Sequence, residues 1–312
     1  MTRPVPAGQV TVTVPATSAN LGPGFDALGL ALGLHDVVQA RVLAAGLSIE
    51  VTGHGADAAA AGEDHLVIRA MRACFAALGD QPPGLAIRCA NQIPQGFGLG
   101  SSAGAIVAGV LAATELAGTG LAGGAGHPAP LELAARLEGH PDNVAACLAG
   151  GLTIAWQCES VPRAARLTPL AALAPVLCVP PAPVATTAAR QALPATVPHR
   201  DAAANAARAA LLVAALTTDP ELLLPATEDF LHQRYRAAAM PDTIALVRRL
   251  REAGIPAVVS GAGPAVLALC VTGAGPGAAE VADLVGLAGE AAGWRVLPLP
   301  VDLAGARVTV PG

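Results

Sequence analysis

The chain has no lysine: all 18 basic side chains among its 312 residues are arginine. Schiff-base chemistry and a Walker-type phosphate loop are therefore excluded, since both require a primary amine. Aromatic residues make up 2% of the chain and charged residues 13%. Cores must then come from small aliphatic side chains, which favours α/β or α+β layers. There is no basic cluster and the formal net charge is −5, so neither nucleic acid nor an anionic membrane is the main partner; a small molecule is expected instead. The six cysteines include no C-x-x-C pair and the MTRPVPAGQV start lacks signal-peptide character, which points to a cytoplasmic protein. The longest apolar run, Ala103 to Leu116, is too short to span a bilayer and carries Glu115.

Apolar residues make up 53% of the chain, ample for packed cores, and the length suggests about two domains. Residues 9–14, QVTVTV, alternate as a strand does and stop at Pro15, before the glycine-punctuated ATSANLGPGFDALGLAL. Further strands are expected at 37–43, 47–52 and 84–90, with a helix from Asp64 to Leu78. A helix over about 102–116 has Ser101 or Ser102 suited to its N-cap, and 118–130 must be a loop. A helix at 131–138 leads into GHPDNVAACLAGG, with a strand at 152–157. The Pro- and Arg-bearing stretch 159–175 reads as an inter-domain crossing, dividing the chain into 1–158 and 159–312. Beyond it, strands are expected at 176–179 and 294–300, and helices at 200–216, 221–224, 242–253 and near 276–292.

Residues 94–104, PQGFGLGSSAG, open onto the first long apolar helix. Gly98, Gly100 and Ala103 satisfy G-x-G-x-x-A, but Pro94 and a loop separate the motif from strand 84–90 and no second strand follows. The dinucleotide fingerprint is therefore rejected. What remains is a loop whose backbone N–H groups, with the helix N-terminus, face an anion; glycine allows close approach and a serine hydroxyl can ligate Mg²⁺. The alternative is an N-capped core helix behind a flexible turn.

Four segments, PATSANLGPGFDALGLAL (15–32), IPQGFGLGSSAG (93–104), EGHPDNVAACLAGG (138–151) and SGAGPAVLAL (260–269), decide between these. In this order and spacing they resemble the GHMP small-molecule kinases. The first and third look most like the branch that acts on the amino acid L-homoserine, and TTAARQALP (186–194) and HQRYR (232–236) are similar to its substrate-contacting segments. The resemblance implies an α+β fold of two domains, a ribosomal-protein-like N-terminal domain with a left-handed βαβ unit and a ferredoxin-like C-terminal domain closing over substrate. It also implies ATP in an anti-Rossmann cleft and a homodimer.

By similarity, Pro94, Gly96, Gly98, Leu99, Gly100, Ser101, Ser102 and Ala103 would wrap the ATP phosphates. Gly261 and Gly263 would bring a second glycine turn beside them, and His65 would lie near the adenine. Ser101 or Ser102 with Glu138 would hold Mg²⁺. Without lysine, the γ-phosphoryl charge would be neutralised by that ion, the helix dipole and arginine. His140, Asp142 and Asn143 would lie against the substrate, with Asp142 either pairing the substrate ammonium or acting as general base for its hydroxyl. Asn20 and Asp26 would also touch substrate, while Arg190 and Arg236 would grip its carboxylate, with Thr186 adding a hydroxyl.

The chain departs from the family pattern at three places: His65 stands where asparagine is common, His35 where tyrosine is usual, and Ala265 replaces a hydroxyl residue. The implied reaction is ATP plus L-homoserine giving ADP plus O-phospho-L-homoserine, on the route to threonine. Rival acceptors are mevalonate, a cytidyl-erythritol phosphate or a sugar; against them stands the acidic pair Asp26 and Asp142 beside two arginines. A nucleotide-binding sensor without turnover is a further alternative, opposed by the presence of Ser101, Ser102, Glu138 and Asp142.

Overall fold

The structure, a computed structural model, describes residues 8–119, 129–184, 186–273, 275–286 and 293–310, with 186–188 as backbone only. Strand β1 (Gln9–Ala19) pairs antiparallel with β2 (Leu28–Leu43). From β3 (Gly46–Gly53) the chain crosses through a 3₁₀ segment (Ala56–Asp64) and α1 (Leu66–Ala77) to β4 (Gly84–Asn91). β4 lies parallel to β3 and antiparallel to β2. Helices α2 (Ser101–Leu116), α3 (Pro130–Glu138) and α4 (Asp142–Ala149) follow. The hairpin of β5 (Leu152–Cys158) and β6 (Val161–Leu167) then joins this sheet through the start of β2.

The second sheet begins with β7 (Leu173–Val179). Helices α5 (Thr186–Gln191), α6 (His199–Thr217), α7 (Leu223–Ala226), α8 (Gln233–Arg236) and α9 (Pro241–Glu252) come next. Then follow β8 (Ala257–Val259), β9 (Val266–Val271), α10 (Ala278–Gly286) and β10 (Arg295–Pro298), which complete an antiparallel sheet in the order β10-β7-β9-β8. Finally β11 (Arg307–Thr309) returns to the larger sheet and pairs with β1. The result is a mixed α+β architecture on two sheets.

Three cores follow from side-chain alternation. Val176 and Cys178 of β7 face α9, with Val266 and Ala268 of β9, while Leu177, Leu267 and Leu269 face a middle layer shared with the larger sheet. Both faces of the second sheet are thus covered, which is why AVLALCV reads as an unbroken apolar run. Helix α2 is apolar on nearly every face and correspondingly buried. Gly109 sets its distance from α1, because a Cβ there would lie 2.6 Å from the Val67 carbonyl oxygen.

Several expectations need correction. Pro15 does not end β1; a register shift between Pro15 and Ala16 accommodates it. This bulge exchanges the strand's faces, so Val10, Val12 and Val14 pack under α1 and α2 whereas Ala16 turns to the middle layer. The stretch 159–175 is not simply a crossing, since 161–167 form β6; the larger sheet therefore takes strands from both sides of residue 158. The 3₁₀ segment holds residue 64, so α1 starts at Leu66. The cap of α2 is Gly100, at φ 68°, rather than a serine. Of the expected loop at 118–130, residues 120–128 lie outside the described residues, as do 287–292 of the helix expected to 292.

Candidate active site

The loop between β4 and α2 is built from alternating left-handed residues: Gly96, Gly98 and Gly100 have φ of 78°, 75° and 68°. That alternation turns five successive carbonyls into the protein. Gly96 O accepts from Val184 N at 3.1 Å, Phe97 O from Ala265 N at 3.2 Å and Leu99 O from Thr17 N at 3.0 Å. Gly98 O accepts from Ser260 Oγ at 2.8 Å, and Gly100 O from Gly104 N at 2.8 Å. By contrast, the N–H groups of residues 96–103 make no hydrogen bond within the described residues. The loop lines a cleft of about 350 Å³ at the N-terminus of a 16-residue helix. Unpaired amides ahead of a helix dipole form an anion cradle.

Across the cleft, α3 ends at Glu138, and Gly139 at φ 92° turns the chain so that His140 follows and Asp142 opens α4. Ser102 Oγ donates to Glu138 Oε1 at 2.6 Å. Burial pushes the Glu138 carboxyl above the usual carboxylate range, although the Ser102 hydrogen bond and His140 work against this. His140 Nδ1 donates to Asp142 Oδ1 at 2.7 Å, as does the Asn143 amide at 2.7 Å. Oδ1 is thereby occupied, leaving Oδ2 of a carboxylate only 2% exposed to meet a ligand. His140 Nε2 lies 3.9 Å from Glu138 Oε1. Burial works to lower the His140 pKa, but its hydrogen bond to Asp142 and the two neighbouring carboxylates prevail and raise it. Asn143 Oδ1 accepts from Thr17 Oγ1 at 2.7 Å.

Among the described residues, no three His, Cys, Asp or Glu side chains group to hold a metal by themselves. Ser102 and Glu138 offer hard oxygen donors beside the anion cradle, a set that fits Mg²⁺ bound by few protein ligands and completed by phosphate oxygens. The serine hydroxyl and the desolvated carboxylate are both of the type such an ion takes.

The third wall is basic. Arg236 is 1% exposed; its Nε donates to Ala189 O at 3.1 Å, and its NH1 to His232 Nδ1 at 2.9 Å and Gly261 O at 3.2 Å. Acceptance at Nδ1 leaves His232 with its proton on Nε2, which donates to Gly22 O at 2.9 Å. Arg236 makes no ion pair among the described residues, and burial followed by repulsion from Arg190 lowers its pKa. A buried, unpaired guanidinium facing a cleft is a site for an anion. Arg190 NH2 donates to Asp26 Oδ1 at 3.0 Å. Asn20, left-handed at φ 68°, donates from Nδ2 to Gly261 O at 2.8 Å and accepts the Asp26 amide at 2.9 Å.

The cleft thus gathers Asn20, His65, Glu138, His140, Asp142, Asn143, Arg190, Arg236 and Gly261 with Gly96, Gly98, Leu99, Gly100, Ser101 and Ser102. Other expected residues fall elsewhere. The Ala103 side chain is fully buried in the core under α2, and Pro94 is buried at the loop entrance, so neither lines the cleft. Gly263 packs against Met240 and Gly98 behind the wall, Asp26 sits at the rim on Arg190, and Thr186 opens α5 with its side chain outside the described residues. Sequence reading missed Thr17 and Ser260, which anchor the loop carbonyls, and His232, which holds Arg236. It also missed Asp36, which lines the cleft and accepts the amides of Gln92 and Ile93 at 2.6 and 2.9 Å. All but Asp36 lie inside the quoted motif segments, so the motif marked the stretch without singling out the side chain.

A glycine loop with free amides at a helix start faces acidic and basic walls across one cleft, an arrangement suited to a small molecule bearing anionic groups. Residues 65–151 match the model of the GHMP kinases N terminal domain and residues 211–282 that of the GHMP kinases C terminal. The chain is 55% identical over 302 residues to a homoserine kinase of Streptomyces avermitilis, covering 97% of this chain and 96% of that one. It is 49% identical over 305 residues to a homoserine kinase of Clavibacter michiganensis, covering 97% and 94%. A crystal structure of homoserine kinase from Cytophaga hutchinsonii superposes with a TM-score of 0.80 at 28% identity, covering 97% and 98%. The chain belongs to the GHMP kinase family, in its homoserine kinase branch.

Proposed function

We propose that this enzyme transfers the γ-phosphoryl group of ATP to the side-chain hydroxyl of L-homoserine, giving ADP and O-phospho-L-homoserine, a step towards threonine. The observation that carries the reading is the convergence, in one cleft, of the unpaired loop amides with the buried, unpaired Arg236 guanidinium. One anion site suits a polyphosphate and the other a carboxylate, and an amino acid presents its carboxylate and hydroxyl at opposite ends. The identity to named homoserine kinases supports the same substrate.

In this reading the residues 96–102 amides hold the phosphates, and Ser102 and Glu138 hold Mg²⁺, with Ser101 beside them. The ion, when bound, neutralises phosphate charge. Arg190 and Arg236 take the substrate carboxylate, while Asp26, now paired with Arg190, exchanges that partner for the substrate ammonium. Asp142, fixed at Oδ1 by His140 and Asn143, presents Oδ2 to the acceptor hydroxyl. Loose phosphoryl transfer needs the hydroxyl in line more than it needs a strong base, so holding Asp142 still is the larger part of the task. The larger sheet and its helices then form the nucleotide half, the second sheet the half that closes on substrate. Among the described residues, no helix is long and apolar enough to cross a membrane.

The test is ADP release from purified protein with Mg²⁺-ATP and L-homoserine, mevalonate, galactose or no acceptor. Homoserine-dependent ADP with one equivalent of phosphate ester is expected. ADP release with galactose alone would keep the phosphate cradle and remove the carboxylate assignment, and release with mevalonate alone, a carboxylate without an amine, would remove the ammonium assignment of Asp26. Nucleotide binding without turnover on any acceptor would leave a sensor in place of a kinase.

A further inference from the structure

We infer that His232 is a positioning residue for the substrate's carboxylate: its imidazole aims the free end of the Arg236 guanidinium into the cleft and ties it to the loop carrying Asn20 and Asp26. This rests on Arg236 being the carboxylate site. A guanidinium has five N–H donors in a rigid fork. In Arg236, Nε gives one to Ala189 O, and NH1 gives its two to His232 Nδ1 and Gly261 O, at 3.1, 2.9 and 3.2 Å. The two on NH2 have no partner among the described residues. NH2 is nonetheless open to a ligand, since the only sealed and unpaired side-chain nitrogen or oxygen among those residues belongs to His65. Arg236 lines the cleft, so NH2 is the end it offers there.

Of the three acceptors that hold the fork, two are main-chain carbonyls and only His232 is a side chain. A carboxylate in its place would hold Arg236 as firmly, but it would cancel the charge and compete with the incoming carboxylate. A neutral imidazole takes the hydrogen bond and leaves the charge for the ligand. Burial lowers the His232 pKa, and the Arg236 charge acts the same way, against Asp229, Asp26 and the bond to Gly22, so the ring stays neutral.

The second ring nitrogen fixes where the loop sits. Nε2 donates to Gly22 O at 2.9 Å, while Asp229 Oδ1 lies 3.8 Å away, beyond hydrogen-bond reach. The Asp229 carboxylate is occupied by the amides of Leu231, His232 and Gln233, at 2.9, 3.0 and 2.6 Å, which set the start of α8 and hence the root of the imidazole. Phe25 packs on the imidazole at 5.3 Å between centroids, and Arg236 Cζ lies 5.8 Å from the same Phe25 ring. Asn205 of α6 braces this loop as well, donating to Pro23 O at 2.7 Å. Arg236, His232 and the loop are thus held as one piece, so the spacing between the carboxylate and ammonium ends of the site is set at residue 232.

The experiment compares steady-state kinetics of the native enzyme, His232→Asn and His232→Leu, two replacements of nearly equal shape. Asparagine places an oxygen near Nδ1 that accepts from Arg236; leucine has none, and both lose the tie to Gly22. His232→Leu is expected to have a KM for L-homoserine about tenfold above that of His232→Asn, the effect of leaving a buried donor unpaired. The kcat at saturating homoserine and the KM for ATP should agree within about twofold between the two. Inhibition by 2-amino-1,4-butanediol, which has the amine and hydroxyl but no carboxylate, should be equally strong in both. Should either variant not fold, His232→Gln keeps a donor for Gly22 O but has carbon at the δ position, and is expected to show the same rise in homoserine KM over the native enzyme. Equal homoserine KM values with and without the Nδ1-like acceptor, a rise shared by the ATP KM, or an equal loss for the diol would overturn the assignment. No turnover of homoserine by the native enzyme would instead remove the proposed substrate, and this inference with it.

Discussion

Glu138 is pulled in opposite directions by folding and by function. Its carboxyl is desolvated against α2 and titrates above the usual carboxylate range, so the ionised form is less favourable in the folded chain than in the unfolded one. A raised carboxylate pKa means that stability is lost as pH rises through the folded value, and at neutral pH the enzyme carries that loss. The same ionised group is the one able to hold a cation beside Ser102. Glu138→Gln keeps an acceptor for the Ser102 hydroxyl while removing the charge. The thermal unfolding midpoint at pH 7 is therefore expected to stay level or rise, and kcat to fall at least about tenfold with a shifted Mg²⁺ dependence. Superimposable Mg²⁺ titrations of the two proteins would show that Glu138 has no part in holding the ion.

At the scale of elements, the glycine loop and the Ser260–Pro264 turn form one unit. Gly98 and Gly96 are both left-handed, with φ of 75° and 78°, but a Cβ on Gly98 would run into the Ser260 carbonyl oxygen, whereas on Gly96 it meets only the Pro183 side chain at 3.0 Å. Each alanine carries the conformational penalty of about 1 kcal/mol; only Gly98→Ala must also push two backbones apart. Gly98→Ala is expected to lower the urea midpoint clearly more than Gly96→Ala, and equal midpoints would mean the two turns are not rigidly packed. This part of the site was legible in the sequence because left-handed glycines and helix starts leave local marks. What the marks could not give is partner identity: Thr17 meets Asn143 126 residues away, and Ser260 meets Gly98 162 residues away. The faces of β1 were illegible for a similar reason, since Pro15 reads locally as a stop and only the pairing with β2 shows it at a bulge. β6 escaped because an edge hairpin reading PRAAR has no apolar alternation to announce it.

At the scale of the whole molecule, the chain's last segment leaves the second sheet and binds the first, through β11 on β1 and through Asp302. Asp302 N donates to Ala31 O at 3.0 Å and its carbonyl accepts Gly151 N at 2.7 Å. Its Oδ1 accepts the amides of Ala304 and Gly305 at 2.8 and 2.7 Å, and its Oδ2 lies 2.6 Å from His35 Nε2. The clasp joins β2, the α4–β5 corner and the chain's last segment, holding that segment on the larger sheet. Burial acts to raise the Asp302 pKa, but the His35 hydrogen bond and the two amides outweigh it, and the folded value falls below the ordinary 3.8. A depressed carboxylate pKa contributes stability in full above the unfolded value, and that contribution is lost as pH falls through the folded value. Asp302→Asn keeps one acceptor for the amides and discards the charge facing His35. It is expected to lose about 1–3 kcal/mol of unfolding free energy at pH 7, measured by urea denaturation. The difference from the native enzyme should shrink as pH falls below 3.8, where the native carboxylate also begins to take up its proton. A difference that stays constant down through that range would mean the clasp depends on shape and not on charge.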